Sequence, residues 1–362
     1  MRICTNHLFN MTRSRHFVSE DDSDILSRET LFGKHRNQER VKEFEEKLAK
    51  FIGVKYAKAV NSGTNALHLA LLSLGIRDND EVILPSYICA SVLSAVKYTR
   101  AKPVFVDIDP EFRKKGYNIS GRTIKDFINN ETKAIIVPHM FGFPCEIDDI
   151  ISLGVPVIED CAHSLGAEYK SRKVGSIGDV SIFSFYSTKI ISTEQGGMVL
   201  TSQEKIKDRL EDLTQYDKRD KYRLSFNYSF TDIQAALGIS QLEELNYFLQ
   251  RRKEIGKIYD KAFSKTRLHL PPKVSGSIQY RYIIKTGNSK EKNFLKEELK
   301  KRGIEAASPI FKPLHRYLGL EKNNFRNTEI VQETALTLPS YPALRDEEIE
   351  YIKSTLLKIL DE

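Results

Sequence analysis

Apolar positions recur with two different periods along the first two thirds of the chain. Val41, Phe44, Leu48 and Phe51 are spaced as on one face of a helix, and Gly53 follows as a residue that ends helices. Short apolar runs rich in β-branched residues separate the helical stretches and predict strands at 56–60, 81–84, 103–107, 133–138, 155–158, 180–185 and 198–201. This alternation predicts an α/β fold, in which a large domain has a mostly parallel seven-stranded sheet between helices.

The pattern changes after about residue 235. One or two long helices are predicted over 233–259, a strand over 279–285, and helices over 292–301 and 347–360. These elements predict a smaller C-terminal α+β domain, because the chain is longer than one hydrophobic core usually supports. We place the N-terminal segment and the large cofactor-binding domain at 1–240, and the small C-terminal domain at 241–362. Residues 1 to about 35 show no periodicity, and 19–24 are predicted to form a loop.

The composition is that of a globular protein, with 40% hydrophobic and 29% charged residues. No stretch approaches the roughly 18 consecutive apolar residues of a membrane span, and the first seven residues lack the apolar core of a secretory signal. We therefore expect a cytoplasmic protein with no membrane partner. The net charge is +7, but basic residues alternate with acidic ones, which favours a solvated surface over a nucleic-acid interface. The four cysteines are too scattered for a zinc site, and we expect no metal.

Three segments carry polar residues where a strand ends or a helix begins. Residues 62–64 (Ser-Gly-Thr) precede a helical stretch, as at an anion-binding helix start or an ordinary N-cap. Asp160 follows a buried apolar run, so it requires a partner or caps a following helix. Lys189 follows the strand at 180–185, in a segment (182–190) without any other charge. Amide donors for a phosphate, an acid for a pyridine nitrogen and an amine for an aldehyde are what pyridoxal 5′-phosphate (PLP) requires.

Two further residues lie close to this set in the sequence. Ser184 precedes Lys189 by five positions, which is near enough for its hydroxyl to share the phosphate while the lysine reaches the aldehyde. His163 lies within a turn of Asp160 and is either a structural hydrogen-bonding residue or a residue that contacts the cofactor ring.

The order and spacing of these segments resemble the sugar aminotransferases of the DegT/DnrJ type, a branch of the fold-type-I PLP enzymes. The similarity runs from about residue 36 to the C-terminus. The segments that carry it are 63–71, 80–87, 102–109, 159–167, 183–185 with Lys189, 196–199, 227–228, 231–238 and 338–342.

The resemblance implies a role for each matching residue. Lys189 corresponds to the lysine that forms the Schiff base and moves the proton, Asp160 to the partner of the pyridine nitrogen, and His163 to a residue that touches the cofactor ring. The phosphate ligands that it implies are Gly63, Thr64 and Ser184. Asn227 corresponds to a residue that reaches the cofactor phosphate of the neighbouring subunit, which implies a homodimer with shared active sites.

The sequence departs from the family pattern at several positions. An aromatic residue that often stacks on the cofactor ring is replaced by Cys89, so either Cys89 packs there or Tyr87 substitutes. The common Gly-Glu-Gly-Gly turn reads Glu194-Gln195-Gly196-Gly197 here, and Ser229 stands where arginine is usual. These changes leave the cofactor chemistry intact and affect the contacts to the substrate.

The resemblance implies ping-pong transamination of a keto-sugar, nucleotide-linked in most of the family, with L-glutamate as amino donor and an amino sugar as product. A keto-cyclitol or other keto compound is an alternative substrate. A non-catalytic, PLP-binding regulatory protein is an alternative of another class. Sugar deoxygenation, which a relative with histidine in place of the lysine performs, is disfavoured by Lys189.

Overall fold

A central seven-stranded sheet organises the computed structural model, which describes residues 38–361. The order across this sheet is β1-β9-β8-β5-β4-β2-β3. The strands of the structure are β1 (Tyr56–Val60), β2 (Glu81–Pro85), β3 (Lys102–Val106), β4 (Thr132–Pro138), β5 (Val157–Asp160), β6 (Glu168–Tyr169), β7 (Arg172–Lys173), β8 (Val180–Ser184), β9 (Gly197–Thr201), β10 (Tyr282–Lys285) and β11 (Ala335–Leu338). Only β9 runs antiparallel to the other six strands of the large sheet, so the carboxyl ends of those six strands lie at one edge.

Helices cover both faces of the sheet. The α-helices are α1 (Glu39–Ile52), α2 (Gly63–Ser73), α3 (Ala90–Tyr98), α4 (Phe112–Lys115), α5 (Gly121–Ile124), α6 (Asp148–Ile151), α7 (Glu204–Thr214), α8 (Asp232–Glu243), α9 (Leu245–Phe263), α10 (Ser289–Lys301), α11 (Leu314–Tyr317), α12 (Arg326–Thr334) and α13 (Asp346–Asp361). Successive strand residues point to opposite faces. Leu84 and Ile136 therefore join the core under α2 and α3, while Ile83 and Ile135 join a separate core with Ile150 of α6.

A second hydrophobic core lies in the last third of the chain. The two-stranded antiparallel sheet β10–β11 packs there with α10, α13 and the second half of α9. Helix α9 contributes to both cores, because Phe248 packs in the core of the large sheet while Tyr259 and Phe263 pack in the second core. The domain boundary at residue 240 stays a prediction.

The α/β fold and the mostly parallel seven-stranded sheet are confirmed. The helical stretch at 233–259 is two helices, α8 and α9, and the strand expected at 279–285 is confined to β10. Gln279 has a φ of 50°, which a strand residue does not adopt. The expected loop at 19–24, with the rest of residues 1–35, lies outside the described residues. Within residues 38–361, no helix is long and apolar enough to cross a membrane.

Candidate active site

A cleft of about 320 Å³ opens where β5 and β8 end and α2 begins. The structure brings five of the seven predicted site residues into its walls: Gly63, Thr64, Asp160, Ser184 and Lys189. This is the edge at which parallel sheets bind their ligands, because loops and helix N-termini converge there. His163 and Asn227 are not among the described residues that line the cleft.

The start of α2 forms one wall of the cleft. Ser62 has extended backbone angles, and its Oγ accepts a hydrogen bond of 3.1 Å from the amide of Asn65, so it caps the helix. The first amides of a helix have no partners within it and attract anions. A Cβ atom on Gly63 would lie 2.8 Å from Cβ of Ser184, so glycine allows the end of β8 to approach the helix start. This wall fits a phosphate group.

Asp160, the last residue of β5, forms the floor of the cleft. Its side chain is buried, with 7% of the residue exposed, and Oδ1 accepts a hydrogen bond of 3.0 Å from the amide of Ala162. Burial raises the pKa of Asp160, and the amide of Ala162 and the charge of Lys189 oppose this effect only partly. Residues 162–166 form a turn, so Asp160 does not cap a helix there. A buried carboxylate without an ion pair among residues 38–361 fits a protonated ring nitrogen.

A hydrogen-bonded pair of side chains, His139 and Glu159, stabilises the end of β5 next to Asp160. Nε2 of His139 donates to Oε2 of Glu159 over 2.9 Å, and both side chains are fully buried. The carboxylate of Glu159 also accepts hydrogen bonds from the amides of Gly175, Ile177 and Gly178. Burial alone would raise the pKa of Glu159, but these hydrogen bonds and the nearby His139 lower it. The possible metal-ligand atoms of Cys161, His139 and Glu159 lie within 4.8 Å of one another. The carboxylate of Glu159, however, already accepts hydrogen bonds from the donors named above.

Lys189 lies in the turn after β8 and is half-buried. Its amide donates a hydrogen bond of 2.8 Å to the carbonyl of Tyr186, which fixes the turn. Its side chain is the only cationic one among the described residues that line the cleft. No carboxylate among residues 38–361 forms an ion pair with it. The amine and the Asp160 carboxylate therefore share one cleft without being paired to each other.

His163 packs beside the cleft in a stack of three rings. Its ring lies 5.7 Å from that of Phe141 and 4.5 Å from that of Tyr280, and the interplanar angles are 15° and 16°. Burial, together with the charges of Lys189 and Arg281, holds the pKa of His163 well below its usual range. The imidazole is therefore neutral at physiological pH.

Asn227 lies on an exposed segment between α7 and α8. Its Oδ1 accepts a hydrogen bond of 2.6 Å from Oγ of Ser229. The neighbouring carbonyl of Tyr228 accepts a hydrogen bond of 3.0 Å from the amide of Asn61, which ties the segment to the start of α2. The structure thus places the segment that carries Asn227 next to the start of α2, while Asn227 itself is not among the described residues that line the cleft.

Of the two residues proposed for ring stacking, Cys89 lines the cleft and Tyr87 does not. Sγ of Cys89 lies 2.8 Å from Oγ of Ser91, another lining residue. The ring of Tyr87 is fully buried and packs 6.2 Å from that of Phe141. Sequence reasoning did not single out Ser91, which carries no signal beyond its place near the start of α3.

Comparisons with known proteins agree with this geometry. The model of the DegT/DnrJ/EryC1/StrS aminotransferase family matches residues 24–357. GDP-perosamine synthase of Escherichia coli O157:H7 is 36% identical over 325 residues, covering 86% of this chain and 88% of that protein. UDP-4-amino-4,6-dideoxy-N-acetyl-beta-L-altrosamine transaminase of Campylobacter jejuni (strain 81-176) is 31% identical over 371 residues, covering 97% and 98%.

Solved structures show the same architecture. The PLP form of Spr1654 from Streptococcus pneumoniae superposes with a TM-score of 0.89 at 26% identity, covering 98% of this chain and 99% of that chain. PseC of Helicobacter pylori, an aminotransferase involved in the biosynthesis of pseudoaminic acid, superposes with a TM-score of 0.87 at 27% identity, covering 97% and 99%. With the family match over most of its length, the chain belongs to the DegT/DnrJ/EryC1/StrS aminotransferase family.

Proposed function

We propose that this PLP-dependent aminotransferase transfers an amino group from L-glutamate to a nucleotide-linked keto-sugar and so produces an amino sugar. The observation that carries the proposal is the cleft in which the Lys189 amine, the buried Asp160 carboxylate and the start of α2 meet. Each wall matches one part of PLP: its aldehyde, its pyridine nitrogen and its phosphate.

Some residues of the cleft bind the cofactor, and Lys189 also transfers a proton. Bound PLP supplies an electron sink for the bonds at the substrate carbon. Lys189 would hold the cofactor through its amine and, when free, would take the proton from the substrate carbon and return it, as general base and then general acid. Asp160 holds a proton on the ring nitrogen. The amides at the start of α2, with the side chains of Thr64 and Ser184, bind the phosphate.

His163 and Asn227 do not line the cleft, and we propose that each contacts a cofactor from outside it. The ring of His163 lies beside the cleft in its stack with Phe141 and Tyr280, and we propose that it contacts the cofactor ring. Asn227 is proposed to serve the cofactor phosphate of a second subunit in a homodimer. Support comes from the exposed segment that carries it, on which Tyr222 is 90% and Leu224 is 67% exposed in the single chain.

The substrate class follows from the named relatives. One is a GDP-perosamine synthase and another is a transaminase of a UDP-linked amino sugar, and each is similar to this chain over more than four fifths of its length. Both names describe a nucleotide-linked sugar, and transamination makes an amino sugar from the corresponding keto-sugar.

The proposal is tested by the visible absorption spectrum of the protein with added PLP, recorded before and after L-glutamate. We expect a band of lysine-bound cofactor that glutamate bleaches and that a nucleotide-linked keto-sugar restores. A band that glutamate leaves unchanged would contradict the proposed donor. Restoration by a keto-cyclitol and by no nucleotide sugar would contradict the proposed acceptor, and the absence of any band would overturn the function altogether.

A further inference from the structure

Tyr280 connects the last third of the chain to the cleft. It lies two residues before β10, and 3% of the residue is exposed. Its hydroxyl donates a hydrogen bond of 2.9 Å to the carbonyl of Thr188, the residue before Lys189. Its ring stacks on that of His163 at 4.5 Å. One side chain therefore contacts the turn that carries Lys189 and also the ring beside the cleft.

Positive charges surround the Tyr280 ring. Nζ of Lys189 lies 6.0 Å from the ring centre, and the guanidinium carbons of Arg252 and Arg281 lie 5.8 Å and 5.5 Å from it. Burial alone would raise the pKa of Tyr280, but Lys189, Arg281 and Arg252 more than offset it and lower the pKa to about 8. The His163 imidazole on the ring face is neutral and adds no charge.

Arg252 is held at Tyr280 by the backbone. Its guanidinium donates hydrogen bonds to the carbonyl of Tyr280 over 3.0 Å and to the carbonyl of Ser340 over 3.1 Å. Arg252 is buried, and it both hydrogen-bonds to the backbone of Tyr280 and approaches its ring. These contacts fix the position of Tyr280. The hydroxyl can then hold the Thr188 carbonyl in one place.

We propose that Tyr280 is a positioning residue for the transamination site, whose hydroxyl fixes the peptide before Lys189 and whose ring fixes His163. This inference rests on the proposed function of Lys189. The side chain acts through its neighbours, since Tyr280 is not among the described residues that line the cleft. The positive charge of Lys189 also lowers the pKa of Tyr280.

The test is the substitution Tyr280→Phe, which keeps the ring stack and removes only the hydroxyl. Losing one hydrogen bond to a positioned group is expected to lower kcat about five- to tenfold. KM for both substrates should stay within about twofold, because Tyr280 does not line the binding cleft. Tyr259→Phe is the matched control, since the Tyr259 hydroxyl is also buried and donates a hydrogen bond of 3.0 Å to a backbone carbonyl, that of Pro339, in the second core. It should leave kcat unchanged.

A second measurement uses the cofactor-free protein and therefore does not depend on transamination activity. Ultraviolet titration of the cofactor-free protein should show one phenolate that forms near pH 8 in the wild type and is missing in Tyr280→Phe. Lys189→Met should move this ionisation to higher pH, because it removes one of the positive charges that favour the phenolate. An unshifted ionisation in Lys189→Met would contradict the coupling.

The outcomes separate this inference from the proposed function. If the wild type transfers amino groups and Tyr280→Phe matches it in kcat, the positioning function is wrong and the proposed function stands. If Tyr259→Phe lowers kcat as much as Tyr280→Phe, the effect is one of general stability and the inference also fails. If the wild type forms no lysine-bound cofactor, the proposed function is wrong, while the ultraviolet titration still measures the coupling of Tyr280 to Lys189.

Discussion

Replacing Asp160 with asparagine should separate the contribution of this residue to catalysis from its contribution to folding. Asparagine has almost the same shape, and its Oδ1 can keep the hydrogen bond of 3.0 Å from the amide of Ala162. The substitution removes the negative charge of the carboxylate. Asp160 is 7% exposed, and its carboxylate forms no ion pair among residues 38–361. We expect kcat to fall by about 10²- to 10³-fold, as for other losses of one buried electrostatic stabiliser in an active site.

The same substitution should leave the cofactor-free protein as stable as the wild type or more stable. A buried carboxylate without a charged partner costs free energy, so its removal is expected to raise the free energy of unfolding by up to about 2 kcal/mol. This corresponds to an increase of a few degrees in Tm. A residue kept for function at a cost in stability has this combined signature.

The pH dependence follows from the raised pKa of Asp160. The folded protein holds this proton up to a higher pH than the unfolded chain, in which the pKa of aspartate is about 3.9. As pH rises through this window, the wild type loses stability relative to Asp160→Asn. The difference in Tm should therefore be largest at neutral pH and should vanish when the carboxyl group is protonated in both states.

The assay pairs thermal melts of the cofactor-free proteins at several pH values with single-turnover transamination. Asp179→Asn is the control, because both carboxylate oxygens of Asp179 accept hydrogen bonds, from the amide of Val157 and from Nε2 of Gln203, each over 2.8 Å. It should lose about 1 kcal/mol of stability and keep its activity. Our reasoning is refuted if Asp160→Asn destabilises the protein as Asp179→Asn does, or if it transaminates at a near-normal rate.

Three other substitutions test the remaining parts of the site. Lys189→Ala should abolish steady-state transamination while circular dichroism shows an unchanged fold, and any retained turnover would contradict its proposed function. Gly63→Ala should weaken PLP binding at least tenfold, measured by equilibrium titration, because its Cβ would lie 2.8 Å from Cβ of Ser184. Gly287→Ala, where the nearest atom would be 3.5 Å away, is the matched control and should bind PLP normally. His163→Gln should keep the pH profile of kcat between pH 6 and 8, since the imidazole is already neutral there, and a changed profile would show that His163 titrates.

Much of the large sheet can be predicted because its signals are local. The strand at Tyr56–Val60 has the bounds that the sequence predicts, and the other six strands of this sheet differ by no more than two residues at either end. Buried parallel strands are short apolar runs, so composition alone marks them. The two-residue strands β6 and β7 carry no such run and are defined by pairing with each other across residues 170–171, whereas the short strand β11 is defined by its pairing with the distant strand β10.

The residues of the candidate site also differ in whether local sequence alone identifies them. Lys189 and Asp160 can be found because each is a charged residue shortly after the end of a predicted apolar strand. Tyr280 cannot be found in this way, because its importance depends on a contact with Thr188 across 92 positions of the chain. The choice between Cys89 and Tyr87 was open for the same reason, since only the packing of Tyr87 against Phe141 shows which side chain reaches the cleft.

The most direct test of the central claim is to identify the lysine that binds the cofactor. The protein is incubated with PLP, reduced with borohydride to make the linkage permanent, digested, and mapped by mass spectrometry. We predict that the pyridoxyl group is found on Lys189 and on no other lysine at stoichiometric amounts. A label on a different lysine, or on none, would contradict the assignment of this cleft as the active site.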